Sequence, residues 1–268
     1  MSHAIIIPIY CENRNTINLC NELQNFGAEH IVVVNDGLNP KSEYFNELTS
    51  IGCHLVHLKN NNGKGASLKA GIKYAHDNLY NITGYITCDA DGQHTANDVM
   101  KISRMLDLRN GSLILGKRDY KKSKMPINIR IGNRLSSAYF KVITGKSCKD
   151  TQTGLRGIPA FLYDTVMKTK GSRFDFEMNF LTKCADMRVP FYFVNIIADC
   201  SNCSSNFRLI KDTYLIYRTP LRFATASIGC TIIDLVLFTI FAYILPSHMF
   251  FNLSLIHISE PTRRRGIS

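Results

Sequence analysis

Short apolar runs rich in β-branched residues alternate with longer stretches of helical periodicity over the first two hundred residues. The predicted strands cover residues 4–8, 31–34, 53–58, 85–88 and 113–116, and the predicted helices cover residues 16–26 and 66–79. Alternation of this kind is typical of a mostly parallel sheet covered by helices. We therefore predict one α/β domain of Rossmann-like architecture over residues 1–205.

Polar residues follow three of these strands at the point where each strand ends. Asp36 follows the second strand, Gly63-Lys64-Gly65 follows the third, and Asp89 and Asp91 follow the fourth. Ligands of open α/β sheets bind beyond the carboxyl ends of the strands. The three clusters together predict a ligand site at that edge.

The stretch ITCDADGQH, residues 86–94, places two aspartates one residue apart. In an extended backbone such residues project to the same side, so both carboxylates can reach one divalent cation. Mg²⁺ and Mn²⁺ favour oxygen ligands, and Mg²⁺ commonly takes one or two carboxylates plus substrate phosphates. A turn that ends the strand is the better explanation of the tripeptide taken alone.

The composition limits the class of partner. A net charge of +11 favours an anionic partner, and the absence of any nucleic-acid-reading motif favours phosphorylated small molecules or a lipid surface over nucleic acid. The nine cysteines lie mostly in apolar stretches, as free thiols do in a reducing compartment, and Cys200 and Cys203 lack the second pair of a zinc site. The basic stretch 117–134 is predicted to be a loop that faces either solvent or phosphate.

Residues 224–245 form an apolar stretch of 22 residues with one charge, Asp234. That length is sufficient for a transmembrane helix, although a buried core helix is the alternative. The preceding residues 206–223 mix aromatic and basic side chains, as an interfacial segment does. By the positive-inside rule, the first domain is expected on the cytoplasmic face of the cell (inner) membrane.

Nine short motifs follow one another between residues 5 and 208. They are Ile7-Pro8-Ile9-Tyr10-Cys11-Glu12, Val34-Asn35-Asp36-Gly37, Asn62-Gly63-Lys64-Gly65-Ala66, Asp89-Ala90-Asp91-Gly92-Gln93-His94, Gly116-Lys117-Arg118, Gly132-Asn133-Arg134, Asp150-Thr151-Gln152-Thr153-Gly154-Leu155-Arg156, Phe176-Glu177-Met178 and Ser204-Ser205-Asn206-Phe207-Arg208. This series resembles family 2 glycosyltransferases, and within them the polyprenyl-phosphate sugar synthases such as dolichol-phosphate mannose synthase and the bactoprenol glucosyltransferases. The resemblance implies a GT-A fold and an inverting transfer of a hexose from a nucleotide-sugar, UDP-glucose or GDP-mannose, to a membrane polyprenyl phosphate.

The resemblance also implies roles for individual residues. The implied nucleotide-sugar-binding residues are Pro8, Tyr10, Glu12, Asp36, Lys64, Gly65, Asp89, Ala90, Asp91 and Gln93. Three of these, Asp89, Asp91 and Gln93, are implied to hold Mg²⁺ or Mn²⁺. The implied catalytic residues are Asp150, Asp91, Arg118, Arg134 and Glu177. The acceptor phosphate is expected to meet Arg118, Arg134 and Arg156, because a guanidinium forms bidentate contacts with phosphate.

Three of these residues also have a purely structural explanation. Asp36 suits an Asx turn, Lys64 suits a solvated turn, and Asp150 suits a helix cap or a turn. The sequence departs from the family at Cys11, where Asn is usual, and at Leu38, where Ser is usual. It also departs at Asn206, where His is usual.

The end of the chain raises a separate question. Residues 222–245 resemble the first helix of a GtrA-like membrane domain, through which a homo-oligomer is possible. Residues 253–268 resemble translated sequencing adapter, and we expect them to be non-native. A genuine short cytoplasmic or periplasmic tail is the alternative. The competing functions are a sugar nucleotidyltransferase of related fold and a catalytically inactive membrane scaffold. The identity of the sugar stays open, because donor selectivity depends on a few pocket contacts.

Overall fold

A central sheet with helices on both faces forms the first of two compact units, Met1–Asp212 and Thr213–Ser268. The structure is a computed structural model that describes residues 2–118, 127–173, 175–197, 229–240 and 243. The described strands are β1 (Ser2–Ile9), β2 (His30–Asp36), β3 (His54–Leu58), β4 (Ile82–Thr87), β5 (Leu113–Arg118), β6 (Arg156–Pro159) and β7 (Phe191–Ile196). The helices are α1 (Arg14–Asn25), α2 (Glu43–Ser50), α3 (Lys64–Asn78), α4 (Ala96–Leu108), α5 (Ile127–Thr144), α6 (Tyr163–Lys168) and α7 (Asp175–Asp186).

The described strands form one sheet in the order β3-β2-β1-β4-β6-β5-β7. All neighbouring pairs are parallel except the two that β6 makes with β4 and β5. The predicted mostly parallel α/β architecture is confirmed. The carboxyl ends of β1 to β5 and β7 therefore share one edge with the beginning of β6 and with the loop 149–155 that leads into it.

The sheet is central because its strands are apolar on both faces. Ile5, Ile7 and Val33 pack on one face in a core that includes residues of α1, α2 and α4. Ile6 and Val32 pack on the other face against residues of α3, α5 and α7. Near-continuous runs of β-branched residues are what a strand buried on both faces requires.

One prediction about local structure was wrong. The stretch 117–134 is not a loop throughout, because Lys117 and Arg118 end β5 and α5 begins at Ile127, so that Arg130 and Arg134 are helical. The helical spacing of the apolar residues from Ile131 onward outweighs the basic residues between them. The strands β6 and β7 were not predicted from the sequence.

The second unit contains a described helix over residues 229–240, whose side chains, Phe238 and Ile240 among them, are exposed. Within the described part of the chain, no helix has both the length and the apolar character that crossing a membrane requires. The predicted interfacial segment 206–223, the ends of the predicted span 224–245 and the tail 253–268 lie outside the described residues, as does the CxxC at Cys200 and Cys203.

Candidate active site

The loop after β4 carries the two aspartates and is held by the beginning of α1. The Thr16 hydroxyl donates to the Ala90 carbonyl at 3.0 Å, and the Asn15 amide donates to the Asp91 carbonyl at 3.4 Å. Gly92 has φ +85°, a conformation that an L side chain rarely adopts, and a Cβ there would meet Asn15 at 2.8 Å. The loop therefore turns close to α1 and presents its carboxylates beyond the sheet.

Lys64, the first residue of α3, lies between two carboxylates. Its Nζ is 2.6 Å from Asp89 Oδ1 and 3.1 Å from Glu177 Oε1. Burial opposes the charge on Lys64, but Asp89 and Glu177 outweigh it and raise the pKa of the ammonium. Burial likewise opposes ionisation of Asp89, yet Lys64 and then His94 hold its pKa well below the usual range. Lys64 and Asp89 form an ion pair, and Glu177 brings a second carboxylate to the same ammonium.

Asp91 has a different environment. Its carboxylate accepts one hydrogen bond from the backbone amide of Gln93 at 3.1 Å and another from the side-chain amide of Gln93. Burial and the neighbouring charge of Asp89 raise the pKa of Asp91. The two carboxylates repel one another, and a further positive charge placed beside Asp91 would relieve that repulsion.

His94 is buried behind the aspartates, with its Nε2 3.5 Å from Asp89 Oδ2. Its Nδ1 has no hydrogen-bond partner among the described residues. The structure thus places the His94 ring against the first of the two aspartates.

The side chains of Asp89, Asp91 and Gln93 offer the kind of ligand atom that Mg²⁺ and Mn²⁺ prefer. All three side chains offer oxygen, and one or two carboxylates plus substrate phosphates are the usual environment of Mg²⁺. Nowhere in the described residues do three or more His, Cys, Asp or Glu side chains lie close enough together to hold a metal ion by themselves. A cation here would depend on substrate oxygens for the rest of its coordination.

The start of α3 is packed against the segment that leads into α7. Gly63 has φ +92°, and a Cβ on Gly65 would lie 2.5 Å from the Cβ of Phe176. The amide nitrogen of Ala66 donates to the Ser172 carbonyl at 2.9 Å. These close approaches require glycine on both sides of Lys64 and place its ammonium between Asp89 and Glu177.

The predicted nucleoside residues surround the ends of β1 and β2. Tyr10 and Glu12 follow β1 and are exposed, whereas Pro8 is buried within the strand. Asp36 is buried and accepts hydrogen bonds from the backbone amides of Asn62 at 2.7 Å and Gly63 at 2.9 Å. Asp36 thus holds the loop before Lys64, and its contact with a nucleoside stays a prediction.

Arg118 and Asp150 form a buried bidentate pair. Arg118 Nε donates to Asp150 Oδ2 at 2.7 Å, and Nη2 donates to Oδ1 at 2.8 Å. Asp150 has no solvent exposure and also accepts from the Gln152 amide at 3.3 Å. The pair joins the end of β5 to the loop 149–155, so both side chains have partners within the protein.

The other predicted acceptor arginines differ from one another. Arg156 is buried and donates to the carbonyl oxygens of Thr153, Glu177 and Thr151 at 2.9, 3.1 and 3.2 Å. Arg134 is exposed on α5. Among Arg118, Arg134 and Arg156, only Arg134 presents its side chain to solvent.

The loop 149–155 touches the aspartate loop directly. The Thr87 hydroxyl donates to the Gly154 carbonyl at 2.7 Å. A Cβ on Gly154 would lie 2.0 Å from Asp89 Oδ2, so the backbone here approaches the carboxylate more closely than any side chain would allow. The candidate active site is therefore built from two halves that meet at Asp89.

The sequence pattern that defines glycosyl transferase family 2 matches residues 4–164. The chain belongs to this glycosyltransferase family. An uncharacterized protein of Methanocaldococcus jannaschii is 32% identical over 188 residues, which cover 66% of this chain and 73% of that protein. A UDP-N-acetylglucosamine–dolichyl-phosphate N-acetylglucosaminyltransferase of Methanococcus voltae is 29% identical over 172 residues, with 57% and 67% covered.

A solved structure shares the fold of this glycosyltransferase. Glucosyl-3-phosphoglycerate synthase from Mycobacterium tuberculosis, in complex with Mn²⁺, UDP-glucose and glycerol 3-phosphate, superposes with a TM-score of 0.61 at 12% identity. The match covers 82% of this chain and 79% of that one. The GT-A fold is thereby shown.

Sequence reasoning on this glycosyltransferase assigned no role to Thr16, Thr87 or Gly154. Gly154 lies within the Asp150 to Arg156 motif, so a signal was present, but its meaning depends on the approach to Asp89 in space. Thr16 and Thr87 act through single hydroxyl contacts that no spacing pattern reveals.

Proposed function

We propose that this glycosyltransferase moves a hexose or N-acetylhexosamine from a nucleotide-sugar to a membrane polyprenyl phosphate, with inversion at the transferred carbon. The observation that carries the proposal is the cluster of Asp89, Asp91 and Lys64 at the carboxyl-end edge of the sheet. The Methanococcus voltae relative, by its name, uses a dolichyl phosphate acceptor, which supports the lipid.

The half of the site that would bind the nucleotide-sugar donor contains both negative and positive side chains, namely Asp89, Asp91 and Lys64. Asp89 and Asp91 would hold Mg²⁺ or Mn²⁺, which when bound supplies neutralising charge to the departing diphosphate. Lys64, now paired with Asp89, is within reach of the same region and offers a second positive charge. Tyr10 and Asp36, at the ends of β1 and β2, would line the nucleoside side.

Activation of the acceptor requires little acid–base chemistry. A lipid phosphate is already anionic at neutral pH, so a strong base is less necessary than for a sugar hydroxyl. The exposed Arg134 would bind that phosphate, while the Arg118–Asp150 pair would fix the loop beside the donor. Glu177 would act through Lys64, which it contacts at 3.1 Å.

The proposal includes the arrangement in the cell. Residues 224–245 would form the first helix of a GtrA-like membrane domain, behind an interfacial segment over residues 206–223. The catalytic unit would lie on the cytoplasmic face of the cell membrane, where nucleotide-sugars are available. The positive charges before residue 224 support this orientation.

Full-length protein in detergent micelles, supplied with Mn²⁺ or Mg²⁺, tests the proposal. UDP-glucose, UDP-N-acetylglucosamine and GDP-mannose are each offered with undecaprenyl or dolichyl phosphate, and glycolipid is separated by chromatography. Asp91→Asn is expected to abolish transfer, whereas Asp77→Asn, an exposed change on α3, keeps it. Protein that binds a donor but glycosylates neither lipid refutes the lipid acceptor, and equal turnover of Asp91→Asn refutes the role of the aspartates.

A further inference from the structure

The side of α5 that points away from the protein carries a stripe of aliphatic residues. Ile131, Leu135, Ala138 and Val142 recur at intervals of four, three and four residues, which brings them to one side of an α-helix. All four are exposed: Ile131 by 52%, Leu135 by 60% and Val142 by 84%. A helix of a water-soluble domain normally turns such a stripe toward its core.

The opposite side of α5 is fixed to the domain. Phe140 is fully buried in the core, and Ser136 accepts from the Thr151 hydroxyl at 2.9 Å. Asn133 accepts from the same hydroxyl at 3.4 Å and donates to the Lys149 carbonyl at 3.4 Å. The helix therefore cannot rotate its aliphatic stripe inward without losing these contacts.

Basic residues follow one flank of the stripe. Arg130, Arg134 and Lys141 lie at positions i, i+4 and i+11, which places them on one side of the aliphatic residues. Arg134 and Lys141 are exposed. An aliphatic stripe beside a row of positive charge is the pattern of a helix that lies in a membrane surface.

We infer that α5 lies in the surface of a membrane that carries anionic headgroups. Its aliphatic stripe would enter the boundary of the acyl chains, and its basic flank would meet lipid phosphates. A second copy of this chain is a poorer occupant of the stripe, because pairing two such helices adds a second row of positive charge to a protein of net charge +11.

This inference builds on the proposed lipid acceptor and identifies the surface that would approach it. Arg134 would sit at the level of the headgroups, where the polyprenyl phosphate presents its charge. The contacts of Asn133 and Ser136 with Thr151 then connect the membrane-facing helix to the loop 149–155 beside Asp89.

The chain contains no tryptophan, so one introduced tryptophan reports on one position without background. Val142→Trp places the probe on the stripe. Tyr80→Trp, an aromatic exchange at a side chain that is 88% exposed outside α5, is the matched control. Each full-length variant is mixed with vesicles of phosphatidylglycerol or of phosphatidylcholine, with and without lipids brominated along the acyl chain.

Val142→Trp is expected to shift its emission to shorter wavelength with phosphatidylglycerol and to lose most of that emission to the brominated lipid. Tyr80→Trp is expected to do neither, even if another part of the chain anchors the protein. Lys141→Gln in the Val142→Trp background should require more phosphatidylglycerol for the same shift.

An unquenched Val142→Trp on vesicle-bound protein overturns the inference. A blue shift that depends on protein concentration and occurs without lipid also overturns it, in favour of a second copy. Leu135→Trp repeats the measurement about two turns away on the same stripe and guards against a local effect. The assay contains no sugar donor, so its failure is distinct from failure of glycosyl transfer.

Discussion

Replacing Lys64 with methionine removes a positive charge that the carboxylates of Asp89 and Glu177 share. At the observed 2.6 Å and 3.1 Å, and with an effective dielectric constant near 20, each pair is worth roughly 5–6 kcal/mol before the cost of burial. Removing one partner of a buried pair costs about 3–5 kcal/mol, because the remaining charge loses its compensation. Since Lys64 and Asp89 keep some solvent exposure, we expect a loss of about 3 kcal/mol in the free energy of unfolding.

Urea titration of the purified protein measures this loss. In a unit of this size, about 3 kcal/mol corresponds to a fall in Tm of about 6–12 °C. Added Mn²⁺ should restore part of the stability, because a cation at Asp89 replaces the missing charge. Adding Glu177→Gln to the Lys64→Met variant should also restore part, because it removes one of the two uncompensated carboxylates.

Lys73→Met is the matched control, since Lys73 lies on the same helix but pairs with Asp77 at the surface. Exposed pairs of this kind add little stability, so this variant should unfold with the wild type. If Lys64→Met is no less stable than Lys73→Met, the cluster at Lys64 does not hold the site together and the reasoning is wrong.

Three further outcomes are expected. Gly154→Ala introduces a Cβ 2.0 Å from the Asp89 carboxylate, so displacement of that carboxylate should lower kcat/KM for transfer about 100-fold. Arg118→Lys loses a bidentate pair, so urea unfolding should show a loss of about 2 kcal/mol. Burial raises the pKa of the Cys184 thiol to about 12 and of the Cys148 thiol to about 11, whereas the unfolded chain releases these protons near pH 9. The folded state thus holds the protons longer, and the free energy of unfolding, measured by urea at each pH, should fall as the pH rises from about 9 to 12.

Each of these outcomes has a result that contradicts it. Gly111→Ala is the glycine control, because a Cβ there meets nothing within 4 Å, and equal rates for the two alanine variants would remove the argument for Gly154. Wild-type stability of Arg118→Lys would show that the bidentate geometry is unimportant. A Cys148→Ala, Cys184→Ala double variant should lose less stability above pH 9 than the wild type. If its free energy of unfolding falls as steeply as that of the wild type, other groups cause the loss of stability at alkaline pH.

The strands and the edge that carries the site could be predicted, because both depend on local pattern. The apolar runs of β1 and β2 are long and β-branched, and Asp36 and Asp89 directly follow strands. By contrast, β6 is only Arg-Gly-Ile-Pro, a composition with little strand preference of its own, and it forms through pairing with β4.

The contacts within the site depend on approaches that no local pattern encodes. Lys64 pairs with Glu177 across more than a hundred residues of sequence, and Arg118 with Asp150 across 32. The motifs identified these residues as important, but the structure is needed to show that Arg118 and Asp150 serve each other. The amphipathic character of α5 was concealed in sequence by its basic residues.

The position of β6 in the sheet divides this protein into two blocks of continuous sequence. Residues 2–108 contribute β3, β2, β1 and β4, and residues 113–197 contribute β6, β5 and β7, in an order that never interleaves them. Within the sheet, the blocks join along one seam, where Gly84 to Thr87 pair with Arg156 to Pro159. The turn at residues 109–112 is therefore a natural crossover for hybrid enzymes, in which each parent supplies one block. Such a hybrid must keep this seam compatible, together with the contacts of Lys64 with Glu177 and of Asp89 with Gly154.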